Sequence, residues 1–177
     1  MKLGGADPGH PHIVRIWLAT GETIIWKGYL EHFFQVLNPK ARFDVRILMI
    51  DPQSPMIGAC GPENWTEQVM ESCKRLSDMR MRYQRKRATL EWRTYKCPPM
   101  IRAVLLNEEY LLFGFMLWFE EQHGMQLHNQ NRSYIYMSRR QRGAEQFIDF
   151  VKNWFDHEWE SSRDVVSPTG RSEPTTN

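Results

Sequence analysis

Ten cationic side chains fall between positions 74 and 102: Lys74, Arg75, Arg80, Arg82, Arg85, Lys86, Arg87, Arg93, Lys96 and Arg102, opposed only by Asp78 and Glu91. A segment so biased suits phosphate, through charge attraction and through the paired donors of the guanidinium. The same residues also suit a solvated helix end, where Lys and Arg complement the dipole. Both readings stand at this point. The densest part, Arg80, Arg82, Arg85, Lys86 and Arg87, is the candidate basic patch for a nucleotide or nucleic acid.

Other chemistries find less material. Cys60, Cys73 and Cys97 are odd in number, with no CxxC pair and no ladder of His ligands, so neither a disulfide framework nor a zinc site is expected. His10 and His12 flank a proline near the start, which is thin support for a metal. His123 and His128 share a polar stretch with Glu120 and Glu121, which reads as a solvated loop. His32 falls beside an apolar helical stripe and reads as structural. No P-loop, GxGxxG or nucleophile elbow is present. The expectation is no metal and no cofactor.

The elements that must position these groups follow from the hydrophobic pattern. The chain has 177 residues, 41% hydrophobic and 12% aromatic, which is enough for one domain with a solid core. Its start lacks the apolar core of a secretion signal, and no run approaches the ~18 apolar residues of a membrane span. The Asn131-Arg132-Ser133 sequon is then accidental, and a cytoplasmic location is expected. Net charge is +2, so the whole-chain charge does not announce a polyanionic partner.

Residues 1–12 read as a flexible leader, 13–159 as one α/β domain and 160–177 as a disordered tail. The segment 13–19 (IVRIWLA) is a buried strand. Over 24–37 apolar residues recur every four positions, as in an amphipathic helix, and 43–50 (FDVRILMI) is a second strand. Strand, helix and strand within about forty residues form a βαβ unit with parallel strands. Ligands in such sheets bind beyond the carboxyl ends of the strands. That rule places Thr20, Gly21, Glu22, Thr23 and Asp51 on one candidate rim. A long polar helix over 65–87, a half-exposed strand over 90–95 and a hairpin over 100–117 follow. A polar loop over 118–133, a short strand over 134–137 and a last helix over 140–159 complete the domain.

The order of these elements resembles one half of the phospholipase D fold. The residues 43–55 (FDVRILMIDPQSP) look like the strand and turn of that family. The segment 90–95 (LEWRTY) resembles the strand before its catalytic segment, and the aromatic helix over 147–159 its closing helix. The family's catalytic motif is His-x-Lys followed by four residues and Asp. There the His attacks phosphorus while the Lys steadies charge on the phosphoryl oxygens. At the matching place stand Met100, Arg102 and Asn107, and Gly114 leads into Phe115-Met116-Leu117 where the family has Gly-Ser or Gly-x-Asn. A thioether has no proton to give and is a poor nucleophile towards phosphorus.

The resemblance therefore implies a mixed sheet flanked by helices, as a single half-domain without the family's chemistry. It implies a sensing or interaction subunit of a bacterial regulatory or defence system. Its partners would be a protein or a second copy. A nucleotide or nucleic acid would be held by Arg102, Asn107, the 20–23 turn and the basic patch. Two alternatives stand beside this: an active phosphodiesterase or nuclease using other residues, and a pure interaction subunit docking through exposed aromatics such as Trp118 and Phe119.

Overall fold

The computed structural model describes residues 11–19, 28–36, 42–60, 64–83, 88–121, 124–128 and 134–164. Its centre is a parallel trio. β1 (His12–Trp17) pairs with β2 (Phe43–Ile50), and β2 with β3 (Ala88–Tyr95), Ile16 lying opposite Ile47 and Ile47 opposite Trp92. Val45, Ile47, Leu48, Met49 and Ile50 are fully buried, because a central strand covered on both faces has no polar side to present. The parallel relation of the first two strands is the one the βαβ pattern predicts.

The remaining strands run against the trio. β4 (Ile101–Leu106) pairs antiparallel with β1, β5 (Tyr110–Phe115) with β4, and β8 (Ile135–Ser138) with β5. On the far edge β9 (Arg163–Asp164) pairs with β3, giving the order β8-β5-β4-β1-β2-β3-β9. The tail expected beyond residue 160 therefore contributes one short rung; residues 165–177 lie outside the described set.

Helices cover the two faces unequally. α4 (Ala144–Ser161) lies on one face, where Trp17 meets Trp154 at 4.6 Å and Phe113 meets Phe147 at 4.9 Å between ring centroids. On the other face sit α1 (Tyr29–Val36) and α3 (Trp65–Tyr83), joined by the stacked rings of Phe34 and Tyr83 at 5.1 Å. α3 buries Trp65, Val69, Cys73, Leu76, Met79 and Tyr83 on a single stripe, the helical period that its otherwise polar sequence carries.

Two elements depart from the sequence reading. The segment 118–133, read as a polar loop, holds a hairpin of β6 (Leu117–Glu121) and β7 (Gly124–His128), paired Leu117 to His128. Its Glu, Gln and His residues hide the alternation, while the backbone ladder forms regardless of side-chain polarity. After β2 comes a short helix, α2 (Pro55–Cys60), where only a strand stop was expected. Ser54 Oγ accepts the Met56 N–H at 3.3 Å, and Pro55 fills the first helical position, an N-cap and N1 pair.

Candidate functional site

The carboxyl ends of the trio and the start of β4 form one end of the sheet. The Asp51 N–H donates to Tyr95 O at 2.7 Å, and the Tyr95 hydroxyl donates to Leu18 O at 2.9 Å, tying the ends of the three parallel strands together. Asp51 Oδ1 accepts the Gln53 N–H at 2.9 Å, and Ser54 Oγ donates to Lys96 O at 3.1 Å. Asp51 is thus partly spent on its own turn. It also lines a cavity of about 340 Å³ with Thr94, Lys96, Cys97, Glu158 and Ser161.

Arg102 stands at the same end but not in that cavity. It is only 8% exposed, and its guanidinium carbon lies 4.4 Å from the centroid of the Tyr134 ring. Its strand partner is Gly114, and a Cβ built there would fall 2.7 Å from Arg102 Nε. The arginine thus lies flat across a residue whose only qualification is the absence of a side chain. Burial raises the Tyr134 hydroxyl above its ordinary pKa, with the Arg102 charge opposing that rise, so the phenol stays protonated at neutral pH. Met100 is 40% exposed beside this pair, and its carbonyl accepts the Met116 N–H at 2.9 Å.

Asn107 lies at the other end of the sheet. β4 separates it from Arg102, a span of roughly 17 Å for an extended strand. Its φ is +52° and that of Glu108 +56°, so both are left-handed in the β4–β5 turn, a conformation that Asn tolerates better than most. Asn107 Oδ1 accepts the Ile13 N–H at 3.0 Å, its N–H donates to Ile13 O at 2.8 Å, and Nδ2 lies 3.0 Å from His12 Nδ1. It clips the hairpin to the start of β1. His12 also stacks on Phe43 at 4.8 Å, so it is a packing residue of the first strand.

Where it is described, the basic patch touches protein but stays exposed. Arg82 pairs with Glu31 at 2.6 Å, and Arg80 lies 6.0 Å from the Trp92 ring centroid. A groove of about 270 Å³ between α1 and α3 carries Lys74 and Arg75 against Glu71 and Asp78, a nearly neutral lining. Arg85, Lys86, Arg87 and the rim residues Thr20, Gly21, Glu22 and Thr23 lie outside the described residues, as do His10, His123 and the side chains of Trp118 and Phe119.

A cluster that sequence spacing does not reveal lies on the opposite face. Arg15, 8% exposed, donates from Nε to Asp156 Oδ1 at 3.0 Å and pairs through Nη1 with Glu108 at 3.1 Å. An arginine inside an apolar strand signals such a cluster. His32 is exposed on α1, where a structural role beside the apolar stripe was expected. Burial pushes the thiols of Cys73 and Cys97 up to about 11, so neither is a thiolate nucleophile at neutral pH. Among the described residues no three metal-ligating side chains gather, and no helix is long and apolar enough to cross a membrane. No protein-family model, no curated protein and no solved structure matches this chain.

Proposed function

We propose that the chain is a catalytically silent, phospholipase-D-like module that works by docking another protein chain. The observation that carries this reading is the state of the β4 start. Where the resemblance calls for a nucleophile stands the Met100 thioether, and where it calls for a phosphate-holding cation stands Arg102, folded down between Tyr134 and Gly114. A cation used for phosphate must turn donors towards an open site. This one is packed against protein.

Beside the exposed cations of α3, apolar side chains are also open on the described surface. Leu112, Phe115, Ile135 and Tyr136 are 40–52% exposed on the two strands at one side of the sheet. Phe115 and Ile135 lie on one face and Leu112 and Tyr136 on the other, so together they flank an edge, where exposed apolar side chains suit a contact surface. A bacterial regulatory or defence setting follows from the resemblance alone. The test is an assay of purified protein against bis-phosphodiester, DNA, RNA and phospholipid substrates, with no turnover expected. Turnover that survives purification and disappears with Arg102→Met overturns the reading.

A second reading keeps a nucleic acid as ligand, supported by the run of Lys74, Arg75, Arg80 and Arg82 along α3. Oligonucleotide binding that weakens steeply with salt and with the paired change Arg80→Ala and Arg82→Ala is its signature.

A further inference from the structure

The two edges of the sheet are finished differently. β9 ends one edge with two residues, both charged, a usual protection against pairing with another chain. β8 ends the other with Ile-Tyr-Met-Ser, which has neither a charge nor a proline. Its ladder phase follows from the Arg139 N–H, which donates to Glu109 O at 2.9 Å. In an antiparallel pair alternate residues address the neighbour. Residues 135 and 137 therefore bond to β5, and 136 and 138 aim their N–H and C=O outwards.

The outward pair of Ser138 is already closed. Its N–H donates to Gln141 Oε1 at 2.9 Å, and its carbonyl accepts the Gln141 N–H at 2.8 Å. The outward N–H and C=O of Tyr136 have no partner among the described residues. Among the described residues, one rung is left open on an apolar edge.

We infer that a second copy of this chain adds to the sheet at β8, with Tyr136 and Tyr136 of the second copy exchanging both backbone hydrogen bonds across a two-fold axis. This deepens the docking reading above and rests on it. A residue that offers one donor and one acceptor in the same direction is its own complement across a two-fold. A foreign extended peptide gains only the same two bonds, because Ser138 is closed, whereas strand addition draws affinity from a run of main-chain bonds.

The side chains favour a copy for the same reason. On the α4 face Phe115, Ile135 and Phe150 are 52%, 48% and 57% exposed, and on the other face Leu112 and Tyr136 are 40% and 45% exposed. At ~150–250 Å² for each aromatic ring, these five leave on the order of 500 Å² of side chain open per copy. A stable interface takes about 800 Å² per partner. These side chains, spread over both faces beside the edge, supply part of one side of such an interface. The two-fold sets Tyr136 beside its own copy on one face and Ile135 beside Met137 of the second copy on the other.

The experiment is mass in solution across a wide concentration range, by sedimentation equilibrium, with three variants. Wild type should weigh twice the 21.1 kDa of the chain. Tyr136→Pro removes an N–H that makes no bond to β5, so the variant should keep its circular dichroism and fall to the single-chain mass. Ile135→Lys, which leaves every backbone group in place, should do the same and serves if the proline variant misfolds. Tyr136→Cys should oxidise to a covalent dimer, because opposed residues of a hydrogen-bonded pair lie ~5.5 Å apart at Cα, inside the range of a disulfide. A single-chain mass for wild type, a dimer that ignores both Tyr136→Pro and Ile135→Lys, or a Tyr136→Cys chain that does not cross-link overturns the inference. A monomeric, non-hydrolysing wild type leaves the docking reading in place with another protein as partner. Turnover dependent on Arg102 removes that reading whatever the mass.

Discussion

Arg102 lies across Gly114, its partner on the neighbouring strand, so closely that a single methyl group on the glycine would reach to 2.7 Å from the guanidinium Nε. The two residues therefore act as one unit. Gly114→Ala should lower stability by about 1–3 kcal/mol, the usual cost of overpacking. In the Arg102→Met background the flexible thioether can move aside, and the same glycine change should cost much less. Urea denaturation of the four chains gives the coupling; additive losses would mean that the arginine does not depend on the bare glycine.

That unit also shows which parts of the molecule were open to reading in advance. The apolar runs at β1 and β2 and the four-residue period ahead of β2 define a βαβ unit, and the parallel register of Val14 with Val45 agrees. The hairpin over β4 and β5 was equally legible. Arg102 and Asn107 were joined only by resemblance, although a six-residue strand between them must put them at opposite ends of the sheet. The Arg15 cluster depends on residues more than ninety positions apart, and sequence spacing carries no trace of that. The Ser54-Pro55 capping signal was present, but the dense proline turn around it reads first as a strand stop.

The cap at Ser54 has a measurable consequence. Its hydroxyl accepts from Met56 and donates to Lys96 O, so one oxygen fixes the start of α2 and the end of β3 together. Ser54→Ala should cost roughly 1–2 kcal/mol. Ser54→Asp, which retains an acceptor at the cap, should recover part of the loss, and equal thermal melts for all three chains would contradict the role.

Arg15 answers two carboxylates at once, Asp156 from α4 and Glu108 from the β4–β5 turn. The carboxylates are about a third exposed, so water screens part of the interaction. Arg15→Ala should cost about 1–3 kcal/mol, below the figure for fully buried pairs. A loss within a few tenths of a kcal/mol would show that the cluster is incidental.

The cysteines predict alkaline behaviour. Cys73 rises from 9.0 to about 11 on burial, so the folded state holds its proton more tightly than the unfolded one. The stability this supplies is complete below pH 9 and is lost as pH climbs from 9 to about 11, at most on the order of 3 kcal/mol. Cys97 shifts the same way, through burial first and the nearby Glu158 carboxylate second, and is less enclosed. Denaturation midpoints should fall across that window, and less steeply in Cys73→Ala after allowing for its cavity. Identical slopes in both chains would place the alkaline loss elsewhere.

The start of β4 is either a packed support or a reactive site. Hydrolysis of a bis-phosphodiester by wild type and Arg102→Met, purified side by side and scaled to folded protein, measures this directly. Both chains should match the buffer rate, while Arg102→Met unfolds at lower urea because Tyr134 and Gly114 lose the side chain between them. Turnover by wild type that falls at least about tenfold in the variant, equivalent to ~1.4 kcal/mol of transition-state stabilisation, would contradict the account and return Arg102 to catalysis.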